Sequence, residues 1–95
     1  MKALRSGLVS RVVSEQELKT ETENVVNAIL SKSKAVIALG KQFFYSQINQ
    51  NLETAYNNGS RVMVENLCLT DGQEGINAFI AKRVPHWTHS TDRIE

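Results

Sequence analysis

The chain has 95 residues, of which 41% are hydrophobic and 22% charged, and its 11 basic and 10 acidic side chains leave a formal net charge of +1. This charge supplies no broad positive field to attract nucleic acid or an anionic membrane, and no apolar run approaches transmembrane length. A monomer of this size buries only about 60–65% of the surface of its unfolded chain, so we expect a thin core and self-association.

The first 14 residues are basic and contain no acidic side chain, as in a targeting peptide. Arg5 and Arg11, however, would interrupt the apolar core of a secretory signal. We interpret Gly7 as a helix stop and residues 8–13, "LVSRVV", as a short apolar extended segment. No second strand pattern follows, so we expect this segment to be disordered or paired with the same segment of another copy.

Two helices are predicted in the first half of the chain. Ser14 and Glu17 form a capping box that opens a helix over residues 14–31. A second helix over residues 33–49 carries apolar residues on more than one side, and Gly40 is expected to allow a neighbouring helix to approach closely.

The second half of the chain predicts two more helices, over residues 51–69 and 71–83. Asn51 is suited to cap the first of them. Thr70 with Gln73 makes a second capping box that opens the last helix. Its inward face is expected to carry Ile76, Phe79 and Ile80, and Lys82 and Arg83 lie beside its negative end, before Pro85 prevents continuation.

The fold class is therefore all-α, with about four helices, a short N-terminal extended segment and a single domain over residues 1–95. The single Cys68 has no partner for an internal disulfide, and we expect a buried thiol in a reducing compartment. On this ground we assign the chain to the cytoplasm.

No catalytic or metal-binding pattern is visible in the residues themselves. His86 and His89 are three residues apart, but no cysteine or carboxylate set accompanies them, and closed zinc sites need four suitable ligands. The serines lack a glycine-flanked nucleophile position, and the glycines do not group into a phosphate-binding loop.

The stretch "DGQEGINAFIAKRVPHW", residues 71–87, resembles the carboxyl-terminal signature of the enoyl-CoA hydratase/isomerase superfamily, the crotonases. The resemblance continues through "KALRSGLVSRVVSEQEL", "LGKQFFYSQINQNLETAY" and "MVENLCLTDGQEG". It implies the terminal helices of the crotonase fold without the spiral core that binds acyl-CoA. It also implies that the oxyanion hole and the acid/base carboxylates lie upstream of the matched segment, so this chain alone is not expected to be an enzyme.

The same resemblance suggests a role for Phe79 and Lys82, which would lie beside the adenine and phosphate end of coenzyme A. A lysine supplies a point charge to a phosphate, and an aromatic ring can pack on adenine. The alternative is structural, with Phe79 as helix packing and Lys82 compensating the helix dipole. No cofactor is required, and coenzyme A or acyl-CoA is expected to bind only with a core chain.

Two functions remain open on the sequence. The first is a non-catalytic helical module that self-associates, with a homodimer favoured. The second is an accessory subunit that completes a crotonase-type acyl-CoA enzyme by associating with a separate core chain. The expected oligomer interface consists of apolar and aromatic residues of the second and third helices: Val36, Ile37, Phe43, Phe44, Ile48, Tyr56 and Met63.

Overall fold

The computed structural model describes all residues from Met1 to Glu95. The chain divides into two compact units, Met1–Ser31 and Lys32–Glu95, and the single-domain organisation stays a prediction. The helices in chain order are α1 (Lys2–Arg5), α2 (Leu18–Leu30), α3 (Lys34–Gln47), α4 (Leu52–Cys68) and α5 (Thr70–Ala81). The all-α prediction is confirmed. None of these helices is both long and apolar enough to cross a bilayer.

In the first unit, Gly7 ends α1 as predicted, because its φ of 76° lies in the left-handed region that glycine adopts without strain. Residues 8–13 form neither a helix nor a strand, as expected for an extended segment without a sheet to join, and pairing with another copy stays a prediction. The backbone N–H groups of Leu8 and Val9 instead donate to the carbonyl of Ala3, at 2.9 and 3.3 Å. With no sheet to join, the segment stays irregular.

A 3-10 turn, Glu15–Glu17, leads into α2. The Glu17 carboxylate accepts from the backbone N–H of Ser14 at 3.4 Å and from its hydroxyl at 2.9 Å, so the predicted capping pair is confirmed. Arg11 forms an ion pair with Glu21 of α2. None of the residues of α2 is buried, and its apolar stripe is left exposed.

In the second unit, α4 packs against both α3 and α5, and α3 also contacts α5. The caps of α3 and α4 follow the sequence. Ser33 accepts from the N–H of Val36 at 3.3 Å, and Asn51 accepts from that of Thr54 at 2.8 Å. Each of the three helices begins and ends within two residues of its predicted limits.

The close approach between α3 and α4 occurs at Gly59 and not at Gly40. A Cβ added to Gly59 would lie 3.3 Å from the ring of Phe43, whereas one added to Gly40 would meet nothing within 4 Å. The expectation for Gly40 is therefore wrong. The partner helix crosses α3 at the phenylalanine ring, so the small residue is needed on α4.

The predicted capping box at the start of α5 is also absent. The hydroxyl of Thr70 donates to the carbonyl of Asp92 at 3.2 Å, and the side-chain amide of Gln73 donates to that of Leu67 at 2.7 Å. The N–H of Thr70 also donates to Asp92, at 3.0 Å. The C-terminal tail therefore supplies the partner that the capping box would have provided.

Asp71 lies at the centre of the second unit, with only 1% of its surface exposed. Its carboxylate accepts from the Ser33 hydroxyl at 2.6 Å, from the N–H and hydroxyl of Thr88 at 2.8 Å each, and from the N–H of His89 at 2.9 Å. Burial by itself would raise the pKa of this carboxyl. The four hydrogen bonds outweigh burial and lower the pKa from 3.8 to about 2.

These contacts join the start of α3, the start of α5 and the C-terminal tail. His89 adds a further link, because its Nδ1 accepts from the backbone N–H of Lys34 at 3.1 Å. The apolar core is thin, as expected, and its only buried hydrophobic residues are Ala35, Leu69 and Ala78. Cys68 is half-buried, less than the buried thiol predicted.

We expect Asp71→Asn to destabilise the fold at neutral pH and to have little effect in strong acid. Because the folded pKa is depressed, the ionised carboxylate stabilises the fold fully above pH 3.8, and this contribution, about 2 kcal/mol, is lost as the pH falls through 2. Urea unfolding followed by circular dichroism from pH 7 to pH 2 measures it. Asp92→Asn, at an exposed position, is the control. A difference between Asp71→Asn and the unaltered protein that stays constant down to pH 2 would contradict this assignment.

Gly72 and Gly40 predict opposite responses to the same substitution. A Cβ on Gly72 would overlap the backbone carbonyl oxygen of Asn66, so we expect Gly72→Ala to lower the free energy of unfolding by more than about 2 kcal/mol. Gly40→Ala meets open space inside a helix and should raise it by roughly 0.5–1 kcal/mol. Thermal unfolding of the two variants compares them directly. Changes of the same sign would show that the packing at Gly72 is not as described.

Candidate functional site

Two large apolar residues near the end of α5 are exposed. Phe79 is 85% exposed and Ile80 72%, whereas Ala78 is 1% exposed. The inner side is formed by Asp71, Gly75 and Ala78, which recur at helical spacing. The expectation of inward packing is therefore wrong for Phe79 and Ile80, whereas Ile76 lines a pocket with Asp71, Gly75 and Trp87.

The physical reason is that the inner contacts of α5 need small side chains. A Cβ on Gly75 would lie 3.3 Å from the indole of Trp87, so the ring of the tail covers the helix where a larger residue would not fit. Phe79 and Ile80, near the end of the helix, are left exposed. Phe79 consequently presents its ring to the surroundings, and packing within the chain does not account for it.

α5 ends in a left-handed turn at Lys82, whose φ and ψ are 54° and 44°. The N–H of Arg83 donates to the carbonyl of Ala78 at 3.0 Å, and that of Lys82 to Phe79 at 3.2 Å. This resembles the glycine-type C-cap of helices, but a lysine occupies the position that glycine usually takes. Lys82 is exposed and makes no ion pair, so its ammonium group is available to an external anion.

Arg83, the next residue, is engaged within the chain. Its guanidinium contacts the Glu74 carboxylate through Nη1 and, at 3.2 Å, through Nη2. Glu74 also accepts from the backbone N–H of His86 at 3.2 Å. Hydrogen bonding from Arg83, and then from His86, lowers the pKa of Glu74, and the same pairing raises the pKa of Arg83. Arg83 therefore lies against Glu74, and its main interaction is this ion pair and not compensation of the helix dipole.

The residues predicted to form an oligomer interface are only partly brought together. Phe43, Tyr56 and Met63 line one open groove of about 790 Å³ between α3 and α4. Val36 and Ile37 line a separate pocket of about 400 Å³ near Asp71. The remaining two, Phe44 and Ile48, are 49% and 53% exposed, and the Phe44 ring meets that of Tyr45 edge-on at 5.5 Å.

The two histidines have structural contacts. His86 donates its backbone N–H to Glu74, and the imidazole of His89 accepts from Lys34. Nowhere in the 95 residues do three histidine, cysteine or carboxylate side chains gather in a way that could hold a metal ion. On α5, the exposed ring of Phe79 and the unpaired ammonium of Lys82 are accessible to a ligand.

Sequence comparison identifies the family. The sequence model described as Enoyl-CoA hydratase/isomerase matches residues 1–90. A mouse protein named "Enoyl-CoA hydratase domain-containing protein 3, mitochondrial" is 55% identical over 87 residues, which cover 92% of this chain and 29% of the mouse protein. The chain thus spans less than a third of the length of this relative.

Two solved structures resemble the fold. The crystal structure of human enoyl coenzyme A hydratase domain-containing protein 3 superposes with a TM-score of 0.85 at 53% identity, over 90% of this chain and 34% of that one. An enoyl-CoA hydratase of Mycobacterium smegmatis gives the same TM-score at 40% identity and the same coverage.

These findings overturn the cytoplasmic assignment. The mouse relative and its human counterpart are named mitochondrial proteins, and a free cysteine does not distinguish the two compartments. They confirm the resemblance drawn from residues 71–87. The chain belongs to the enoyl-CoA hydratase/isomerase family, and it corresponds to the helical C-terminal region of the crotonase fold.

Proposed function

We propose that this chain is a non-catalytic helical module of an enoyl-CoA hydratase-type protein, and that α5 contacts the nucleotide end of coenzyme A through Phe79 and Lys82. The observation that carries the proposal is the 85% exposure of Phe79, directly after the buried Ala78. A large ring left outside while Ala78 and Gly75 occupy the inside fits a surface that meets a ligand or another chain.

The chemistry of the two side chains suits an adenine nucleotide. An aromatic ring packs on the face or edge of adenine, and the lysine ammonium attracts phosphate oxygens. Lys82 follows Phe79 by three residues and has no competing carboxylate. A ligand that carries both a purine and phosphates would therefore contact both residues. Pantetheine alone has no phosphate to contact Lys82 and no purine to pack on Phe79.

The absence of catalysis in the isolated chain is part of the proposal. The resemblance of this chain to the family implies that the oxyanion hole and the acid/base pair lie upstream of the matched segment. An enolate without its oxyanion hole loses the largest single contribution to its stabilisation. No cofactor would be required, and binding of acyl-CoA in a productive geometry would need a core chain.

We propose further that the module self-associates as a homodimer through α3 and α4. The support is the exposure of Phe44 and Ile48 on α3 and of Tyr56 and Met63 on α4, together with the open groove between the two helices. Covering apolar surface contributes about 25 cal/mol for each Å² removed from water, and a second copy supplies a surface of the same character.

A second candidate is an accessory subunit that docks on a separate core chain of the same family. The observation that favours it is α2, where Leu18, Val26 and Ile29 are all exposed. A core chain would cover that stripe as well. In either case we propose a mitochondrial setting, by extension from the named relatives.

The nucleotide contact is tested by titrating coenzyme A into the chain and its variants by calorimetry. We expect Lys82→Ala to weaken binding by about tenfold, because a charge-assisted contact contributes roughly 1.5 kcal/mol. Phe79→Ser should weaken it by a similar factor. Lys41→Ala, which removes an exposed lysine of α3, is the matched control and should leave the affinity unchanged. Equal effects of Lys82→Ala and Lys41→Ala would reject the contact.

Sedimentation velocity tests self-association. The unaltered protein should sediment as a dimer at micromolar concentration. Replacing Phe44 and Ile48 with serine removes exposed apolar groups without touching the buried residues, and should give folded monomer; Phe43→Ser with Phe44→Ser should give monomer or unfolded chain. Phe79→Ser, the same change on α5, should leave the dimer intact. A well-folded monomer of the unaltered chain would contradict the proposed interface and favour the accessory subunit.

A further inference from the structure

The sequence "KR" at the end of α5 places two cations side by side, but the structure gives them different environments. Arg83 is held by Glu74 through two nitrogens, and Lys82 has no ion pair. A residue eight positions before Lys82 therefore decides which of the two cations is free to bind an external phosphate. That residue, Glu74, lies on α5 and has not been assigned a role in ligand contact.

Lys82 is also in a conformation that needs support. A left-handed φ of 54° is disfavoured for a residue with a side chain, by roughly 1 kcal/mol. Such residues persist where the surrounding structure fixes them, and they are enriched at ligand-binding positions. If nothing held the turn, Lys82 would gain by adopting an ordinary right-handed or extended conformation.

Two backbone hydrogen bonds, from Lys82 to Phe79 and from Arg83 to Ala78, close the turn, and Glu74 adds support from the residues that follow it. Its carboxylate contacts the guanidinium of Arg83, the residue directly after Lys82, and accepts from the N–H of His86 three residues later. A two-nitrogen contact from arginine to a carboxylate fixes orientation as well as distance. The backbone that follows Lys82 is therefore fastened to α5 itself, the helix that carries Phe79.

We propose that Glu74 is a positioning residue: by holding Arg83 and the N–H of His86, it maintains the left-handed turn at Lys82 and presents that lysine, and not Arg83, to the phosphates of coenzyme A. The inference rests on the proposed function of Phe79 and Lys82. It adds that the phosphate contact depends on an acidic residue that does not touch the ligand.

The sign of one substitution separates positioning from simple electrostatics. Glu74→Gln removes a negative charge close to the phosphate contact and frees Arg83, so electrostatics alone would strengthen binding of an anion. Positioning gives the opposite result, because Lys82 leaves its left-handed conformation. We expect about threefold to tenfold weaker binding of coenzyme A, the range of a displaced charge-assisted contact.

The experiment compares Glu74→Gln with Glu65→Gln, which breaks the similar Arg61–Glu65 ion pair on α4, away from Lys82. NMR backbone chemical shifts report the conformation of Lys82, and calorimetry reports the affinity for coenzyme A and for adenosine, which carries the purine without the phosphates. Glu74→Gln should abolish the left-handed shifts of Lys82 and weaken coenzyme A alone. Glu65→Gln should change neither. If Glu74→Gln does not fold, Arg83→Gln breaks the same pair, and the NMR shifts of Lys82 should then lose their left-handed character.

The inference is overturned if Lys82 keeps its left-handed shifts in Glu74→Gln, or if coenzyme A binds as well or better. It is equally overturned if the binding of adenosine weakens by the same factor, because that is the mark of a general structural role. Failure of the proposed function is distinguishable, since Lys82→Ala would then leave the affinity of the unaltered chain unchanged. In that case, the NMR shifts of Lys82 still test whether Glu74 maintains the left-handed turn.

Discussion

A carboxylate removed from water is the constraint on which the second unit depends. Asp71 is ionised at neutral pH and 1% exposed, and a buried charge without partners would destabilise the fold by several kcal/mol. Its four donors come from Ser33, Thr88 and His89, so the start of α3 and the C-terminal tail must both lie against the start of α5. With only three buried hydrophobic residues, apolar packing contributes less specificity here than this one acid.

The packing of α5 follows from that anchor. Once Asp71 faces inward, the residues four and seven positions later, Gly75 and Ala78, face inward too. The tail that donates to Asp71 also brings Trp87 over Gly75. Phe79 follows Gly75 by four residues and lies on the same side of the helix, but it is 85% exposed. The chain leaves the helix at Lys82 and returns along it, so this turn joins α5 to the tail that packs on it.

The sequence predicted the helices because their caps are local. Ser14 with Glu17, Ser33 and Asn51 each act on a residue three positions away, and α3, α4 and α5 lie within two residues of their predicted limits. The capping box of Thr70 failed for the opposite reason, because Asp92, 22 residues away, competes for the hydroxyl.

The exposure of Phe79 could not be read from the pattern of α5, because its spacing from Asp71 and Gly75 is that of a residue on the packed side. Gly75 was the one available signal, and it becomes meaningful only once Trp87 is seen to lie over it. The role of Asp71 was equally hidden, since its donors are 17, 18 and 38 residues distant. The role of Glu74 was hidden for the same reason, because the residues that contact it belong to the segment that returns along α5.

The central claim is that this chain contacts coenzyme A through Phe79 and Lys82 of α5 and leaves the acyl group unreacted. The most direct measurement adds crotonyl-CoA to the isotope-labelled chain and follows both molecules by NMR. The account predicts that the resonances of Phe79 and Lys82 shift with ligand concentration, while the vinyl protons of the crotonyl group decay no faster than in buffer. Shifts confined to the groove between α3 and α4, or hydration above the buffer rate, would contradict it.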